Sequence, residues 1–175
     1  VNYGQSTNDV FPSCGRITAL KLINKAQKQL ERLYEALTQK AEEFDSVIKM
    51  GRTQLQDAVP IRLGQEFRAY SMAIRRDINR FTNAKDELCA LNLGGTAIGT
   101  GLNADVLYLQ KVVRNIALVS GLDLIQSFDL IDATQNLDGY TSVSGAVKAC
   151  AVNLSKMSND LRLMSSGPRT GLGEI

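Results

Sequence analysis

The stretch LKLINKAQKQLERLYEALTQKAEEFDSVI, Leu20–Ile48, repeats its apolar residues at intervals of three and four. Leu20, Ile23, Ala26, Leu30, Leu33, Leu37, Ala41, Phe44 and Ile48 fall on one stripe when the chain winds at the helical period. A strand, whose period is two, would scatter them over both faces. The spacing therefore predicts a long helix, opened by Pro12 in its first turn, where a missing N–H costs nothing.

Two further stretches carry the same signature. Leu63, Phe67, Tyr70, Ile74, Ile78, Phe81, Ala84 and Leu88 keep register from just after Pro60 toward a Gly-rich stretch. Val143, Val147, Cys150, Leu154, Met157, Leu161 and Met164 run until Gly167-Pro168 stops them. Shorter helices are expected over 105–120, ending at Gly121, and over 129–135. No segment alternates strand-fashion for long, so the expected class is all-α, with loops at 49–62, 92–104, 121–137 and 165–175.

Helix length sets a constraint on assembly. A first helix of roughly 35 residues would extend about 50 Å, whereas a compact domain of this chain length is about 40 Å across. An elongated antiparallel bundle of long helices fits better, and stripes of this length pack against partner subunits as well as against each other. Homo-oligomerisation is the structural expectation.

Composition narrows the functional classes. The 175 residues suit one domain, and 44% hydrophobic with 22% charged residues allows a core of useful size. Twenty Lys and Arg against eighteen Asp and Glu, with no basic run longer than Arg75-Arg76, leave no footprint for nucleic acid or an anionic membrane. No apolar run approaches the roughly 18 residues of a membrane span, and no signal peptide is visible. Cys14, Cys89 and Cys150 are odd in number and far apart, which reads as a reducing cytoplasm. The ends, Val1 and Gly-Leu-Gly-Glu-Ile, read as cut from something longer, so residues 1–175 are expected to be one helical-bundle domain truncated at both ends.

Four polar stretches fall at helix ends. Gly4-Gln5-Ser6-Thr7-Asn8-Asp9 precedes the first helix, where one such side chain would serve as an N-cap. Four in a row exceed that need, and with the N–H groups of a helix start they form a receptor for a carboxylate or phosphate. Gly51-Arg52-Thr53-Gln54-Leu55-Gln56-Asp57-Ala58-Val59-Pro60 reads by spacing as a loop leading into the second helix. Asn92–Asn103 is rich in glycine but matches neither nucleotide-binding fingerprint, and a tight turn between helices explains it. Ser165–Gly171 reads as a helix stop followed by a loop.

The chain has no histidine, and hence no Ser-His or Cys-His pair; no set of ligand types suits a metal. Asp57 and Glu66 could act as bases, but nothing pairs them in sequence. Spacing and composition alone lead to an oligomeric helical bundle with anion-friendly helix ends.

GQSTNDVFP, GRTQLQDAVPIRLGQEF, LNLGGTAIGTGLN and SNDLRLMSSGPRTGLGEI, in this order and spacing, resemble the central helical domain of the aspartase/fumarase superfamily. The resemblance covers nearly all of the chain. Thr53-Gln54 resembles the branch that eliminates ammonia from L-aspartate, whereas class II fumarases generally carry Thr-His there and Gln-Ser-Ser-Asn where this chain has Gln-Ser-Thr-Asn. The resemblance implies reversible conversion of L-aspartate to fumarate and ammonia, with no metal or organic cofactor. It implies that Ser6, Thr7 and Asn8, with Thr53 and Gln54, bind substrate carboxylate as neutral donors. The base that it implies is a serine on a mobile Gly-Ser-Ser loop downstream of a Gly-Leu-Gly-Glu stretch, hence past Ile175. Ser165 and Ser166 belong to another block, and no catalytic residue is assigned within 1–175. The resemblance also implies a homotetramer whose sites draw on three subunits. A class II fumarase acting on malate and a helical oligomerisation module without substrate are the alternatives.

Overall fold

Helix α1, Thr7–Glu43, is the longest element of the computed structural model, which describes residues 2–175. The antiparallel strands β1, Ile48–Thr53, and β2, Gln56–Arg62, follow, then α2, Leu63–Asp86. After β3, Ala90–Leu91, come α3, Val106–Ser120, β4, Ile125–Gln126, α4, Leu130–Gln135, and α5, Asp138–Met164. The fold is mostly helical with minimal sheet. Among the described residues no helix is long and apolar enough to cross a membrane. The chain divides into two compact units, one taking Phe81–Gly145 with the stretch up to Ala26, the other Gln27–Arg80 with Ala146–Ile175.

In the second unit the three long helices meet. Asn153 of α5 lies against Asp77 of α2, and Asp160 against Tyr70, so the two helices run antiparallel. Phe44, just past α1, meets Phe67 edge-on at 5.3 Å, and Phe67 meets Tyr70 at 5.9 Å. Leu30, Leu37 and Ala41 from α1, Leu63, Ile74 and Ile78 from α2, and Cys150, Met157 and Met164 from α5 are buried, which confirms the stripes on these helices. Full burial of one such side chain stabilises by about 1.5–3 kcal/mol. Asp77 is buried among them and satisfied by Asn153 Nδ2, 3.0 and 2.9 Å from its two oxygens, and by Arg80 at 2.6 Å. Val147 departs from the expected stripe: it is exposed, and Ala146 takes the inward position.

In the first unit, Leu20, Ile23, Phe81, Ala84, Leu88, Leu91, Leu93, Val113 and Leu124 are buried. The parallel pair β3 and β4, in register Ala90↔Ile125, holds the loop after α2 beside the one after α3. Asp105 caps α3, and Gly121, with φ 66°, ends it. Asp129 caps α4. Arg16 donates to the carbonyls of Glu87 and Ala90 at 3.0 and 2.9 Å, neutralising free carbonyls beyond the end of α2.

Three expectations need correction. Pro12 lies inside α1, not at its opening, because Ser6 and Asp9 start the helix earlier. The helix stops at Glu43, leaving Phe44 and Ile48 outside it. The stretch 49–62, expected as a loop, is a β-hairpin. Neither of its strands turns a face toward a core, so no apolar alternation marks them; Pro60 is tolerated because a two-stranded sheet has only edge strands.

Candidate functional site

The start of α1 is built by a reciprocal cap. Ser6 Oγ accepts the N–H of Asn8 at 3.2 Å, and Asp9 Oδ1 accepts that of Ser6 at 2.9 Å. Asp9 is fully buried, and its other oxygen accepts the N–H groups of Gly94 and Thr96 at 3.0 and 3.1 Å. The Gly-rich loop therefore spends these N–H groups on an internal carboxylate. Gly99, at φ 91°, lets that loop pass α4, for a Cβ there would lie 2.4 Å from the Cα of Ile131.

The four polar side chains of 6–9 thus divide by task. Ser6 and Asp9 build the cap, while Thr7 and Asn8 are exposed. Asn8 Nδ2 donates to the carbonyl of Ala97 at 2.7 Å, which fixes its amide against the loop. Ser6 and Thr7 line a cavity of about 390 Å³ with Gln5, Val10, Phe11 and Cys14. Ser6 and Thr7 bring the hydroxyls of this cavity, and Val10 and Phe11 its apolar wall.

Thr53 and Gln54 sit at the tip of the hairpin in the other unit, both exposed. Gln54 and Leu55 have φ of 53° and 64°, so the two-residue turn is of the left-handed type whose twist matches its strands. Leucine there is unusual, since bulky side chains avoid positive φ. Below the tip, Arg52 Nε lies 2.9 Å from Glu174 and its Nη1 2.5 Å from Asp57. Lys49 lies 3.0 Å from both Glu66 and Glu174. Burial alone would lower the Lys49 pKa, but the bonds to Glu174 and Glu66 outweigh it and raise the value. Burial would likewise raise Glu174; Lys49 and Arg52 overcome that and hold it below the ordinary carboxylate value.

Ser165 Oγ and Ser166 Oγ donate to the carbonyls of Arg162 and Leu163 in the last turn of α5, which gives both hydroxyls a place in a helix terminus. The residues that sequence reasoning missed are Lys49, Arg52 and Glu174. Arg52 and Glu174 are 122 positions apart, and no local pattern links them.

The family profile described as lyase matches residues 1–175, and the chain belongs to that lyase family. Within it, the chain is 58% identical over 175 residues to the aspartate ammonia-lyase of Bacillus subtilis (strain 168) and 47% identical to that of Escherichia coli (strain K12). Each alignment takes in all of this chain and 37% of the relative, so the chain spans a little over a third of the length of the curated relatives it matches. Among solved structures, fumarate lyase:delta crystallin from Brucella melitensis superposes with a TM-score of 0.95 at 46% identity, over 98% of this chain and 37% of that one. Class II fumarase from Schistosoma mansoni superposes with a TM-score of 0.91 at 32% identity, over 97% of this chain and 39% of that one.

Proposed function

We propose that the full-length protein converts L-aspartate reversibly to fumarate and ammonia, and that residues 1–175 supply part of the substrate site within a central helical domain. The observation that carries this reading is the character of the two donor sets. Ser6, Thr7 and Asn8 at the start of α1, and Thr53 and Gln54 at the hairpin tip, are all neutral hydrogen-bonding groups. Such groups suit an intermediate whose charge grows. Loss of a proton from the carbon beside the β-carboxylate leaves that group as a doubly negative aci-carboxylate. The electron pair then forms the double bond as the C–N bond breaks and the amine leaves. Donors that bind the dianion more strongly than the ground-state carboxylate accelerate proton removal. The proton acceptor in this reading is a serine downstream of Ile175, and residues 1–175 alone are inactive.

The two donor sets belong to different units, and in this reading a complete site forms where subunits of a homotetramer abut. Large apolar side chains on the surface support such assembly. In the first unit Leu118, Val119 and Phe128 are exposed by 75% or more, a pattern that marks interaction surfaces. Cys14, Cys89 and Cys150 are all free, which suits the proposed cytoplasmic setting.

The test is turnover by the full-length protein on L-aspartate and on L-malate, followed through fumarate absorbance. Turnover of aspartate with malate inert supports the reading; malate turnover with aspartate inert replaces it with the fumarase activity. Thr53→Ala should raise the barrier by about 2–4 kcal/mol. Unchanged turnover in that variant would remove Thr53 from the site.

A further inference from the structure

Lys49 and Arg52 are three residues apart on β1, and in a regular strand such positions project to opposite faces. Here both reach Glu174, Lys49 at 3.0 Å and Arg52 at 2.9 Å. The ladder carries a bulge between them. The register runs Met50↔Pro60 and then Arg52↔Asp57, so β2 holds one extra residue opposite Gly51. Bulges increase local twist, and this one falls on β2 beside the step from Met50 to Arg52. Gly51 permits the distortion, since a Cβ there would stand 2.6 Å from the carbonyl oxygen of Val59.

Glu174 is itself anchored. Its N–H donates to the carbonyl of Met164 at 2.8 Å, and the N–H of Gly173 donates to that of Ser166 at 2.7 Å, which folds the segment back on the end of α5. Side-chain exposure is 8% for Glu174 and 7% for Lys49. Desolvating such groups offsets much of their Coulomb gain, but removing one partner leaves the others buried and unpaired, so the triad holds these three side chains together. The tip needs fixing: Leu55, strained at positive φ, is 64% exposed. Arg52 directly precedes Thr53.

We propose that Glu174 is a positioning residue for the donor pair Thr53–Gln54, holding the hairpin tip against the end of α5 through Arg52 and Lys49. This rests on the reading that Thr53 and Gln54 bind substrate. Glu174 touches no substrate; it acts through β1.

The experiment is a double-mutant cycle in the full-length protein, with Glu174→Gln and Gln54→Ala singly and together, joined to hydrogen–deuterium exchange across 48–62. Glu174→Gln should lower kcat/KM for aspartate tenfold or more in the native background and less than twofold beside Gln54→Ala. It should also quicken amide exchange at 52–56 while exchange within α2 and α5 stays unchanged. A tenfold loss that persists beside Gln54→Ala, or unchanged exchange at the tip, overturns the proposal. Should the native protein not turn over aspartate, the proposed activity falls and exchange alone decides: quickened exchange confined to the tip supports the latch, and unchanged exchange overturns it. Where Glu174→Gln does not accumulate as folded protein, Arg52→Lys, which keeps the charge and loses the fork, carries the same cycle and the same outcomes.

Discussion

Asn92 Nδ2 donates at 3.0 Å to the carbonyl of Asn8, the acceptor that Pro12, four residues on, has no N–H to reach. A proline inside a helix normally leaves that carbonyl unpaired. Here a side chain from the Gly-rich loop completes the ladder. Asn92 is fully buried and also donates to Thr134 at 3.1 Å. Asn92→Ala should therefore cost about 2 kcal/mol or more, seen as a lower denaturation midpoint. In a Pro12→Ala background, where the N–H returns, the same substitution should cost about 1 kcal/mol less. Equal costs in both backgrounds would show that Asn92 does not compensate for the proline.

Asp9 makes a second prediction about the same helix start. It takes the N–H groups of Ser6, Gly94 and Thr96 with one buried carboxylate. Asp9→Ala should leave them without an acceptor and cost about 3 kcal/mol or more. Amide exchange at Gly94 and Thr96 should quicken. Thermal melting with exchange mass spectrometry would read both effects.

Gly51→Ala should damage the hairpin selectively. The added Cβ meets backbone rather than the flexible end of a side chain, so the bulge has to open. Exchange across 48–62 should rise while the helical circular dichroism is retained. Unchanged exchange would mean that the bulge has room to spare.

Acid and base should act on the charged triad with opposite signs. Glu174 titrates below its ordinary 4.5 when folded, so its contribution to stability is present above that value and is lost as the pH falls through the lowered one. Lys49 titrates above its ordinary 10.5, so its contribution is full below that value and is lost as the pH rises through the raised one. The thermal midpoint of Glu174→Gln should approach that of the native protein at both extremes and differ most between them. A constant offset at every pH would contradict this.

The long helices were legible because each buries one stripe, and burial of a stripe leaves a period in the sequence. Leu30, Leu37, Ile74, Ile78, Cys150 and Met157 are all inside, as their spacing predicts. The hairpin was not legible because it buries no face, and Pro60 argues against a strand wherever a ladder must continue. The true start of α1 was hidden for a related reason. Pro12 ordinarily marks a first turn, and only a contact with Asn92, 84 residues from its acceptor, makes an interior position tolerable. At the candidate site, the donor character of Ser6, Thr7, Asn8, Thr53 and Gln54 could be read from residue type. The division of 6–9 into cap and exposed pair needed the loop that claims Asp9, and the triad needed the fold.

The all-neutral make-up of those five residues has a kinetic corollary. Hydroxyls and carboxamides keep one charge state across the range in which enzymes work, so the proposed binding surface is blind to acidity. Under the proposed reaction, a bell-shaped rate profile in the full-length protein would thus trace the ionisation of the migrating proton's acceptor and of the departing amine, with the cradle itself adding no limb to the curve.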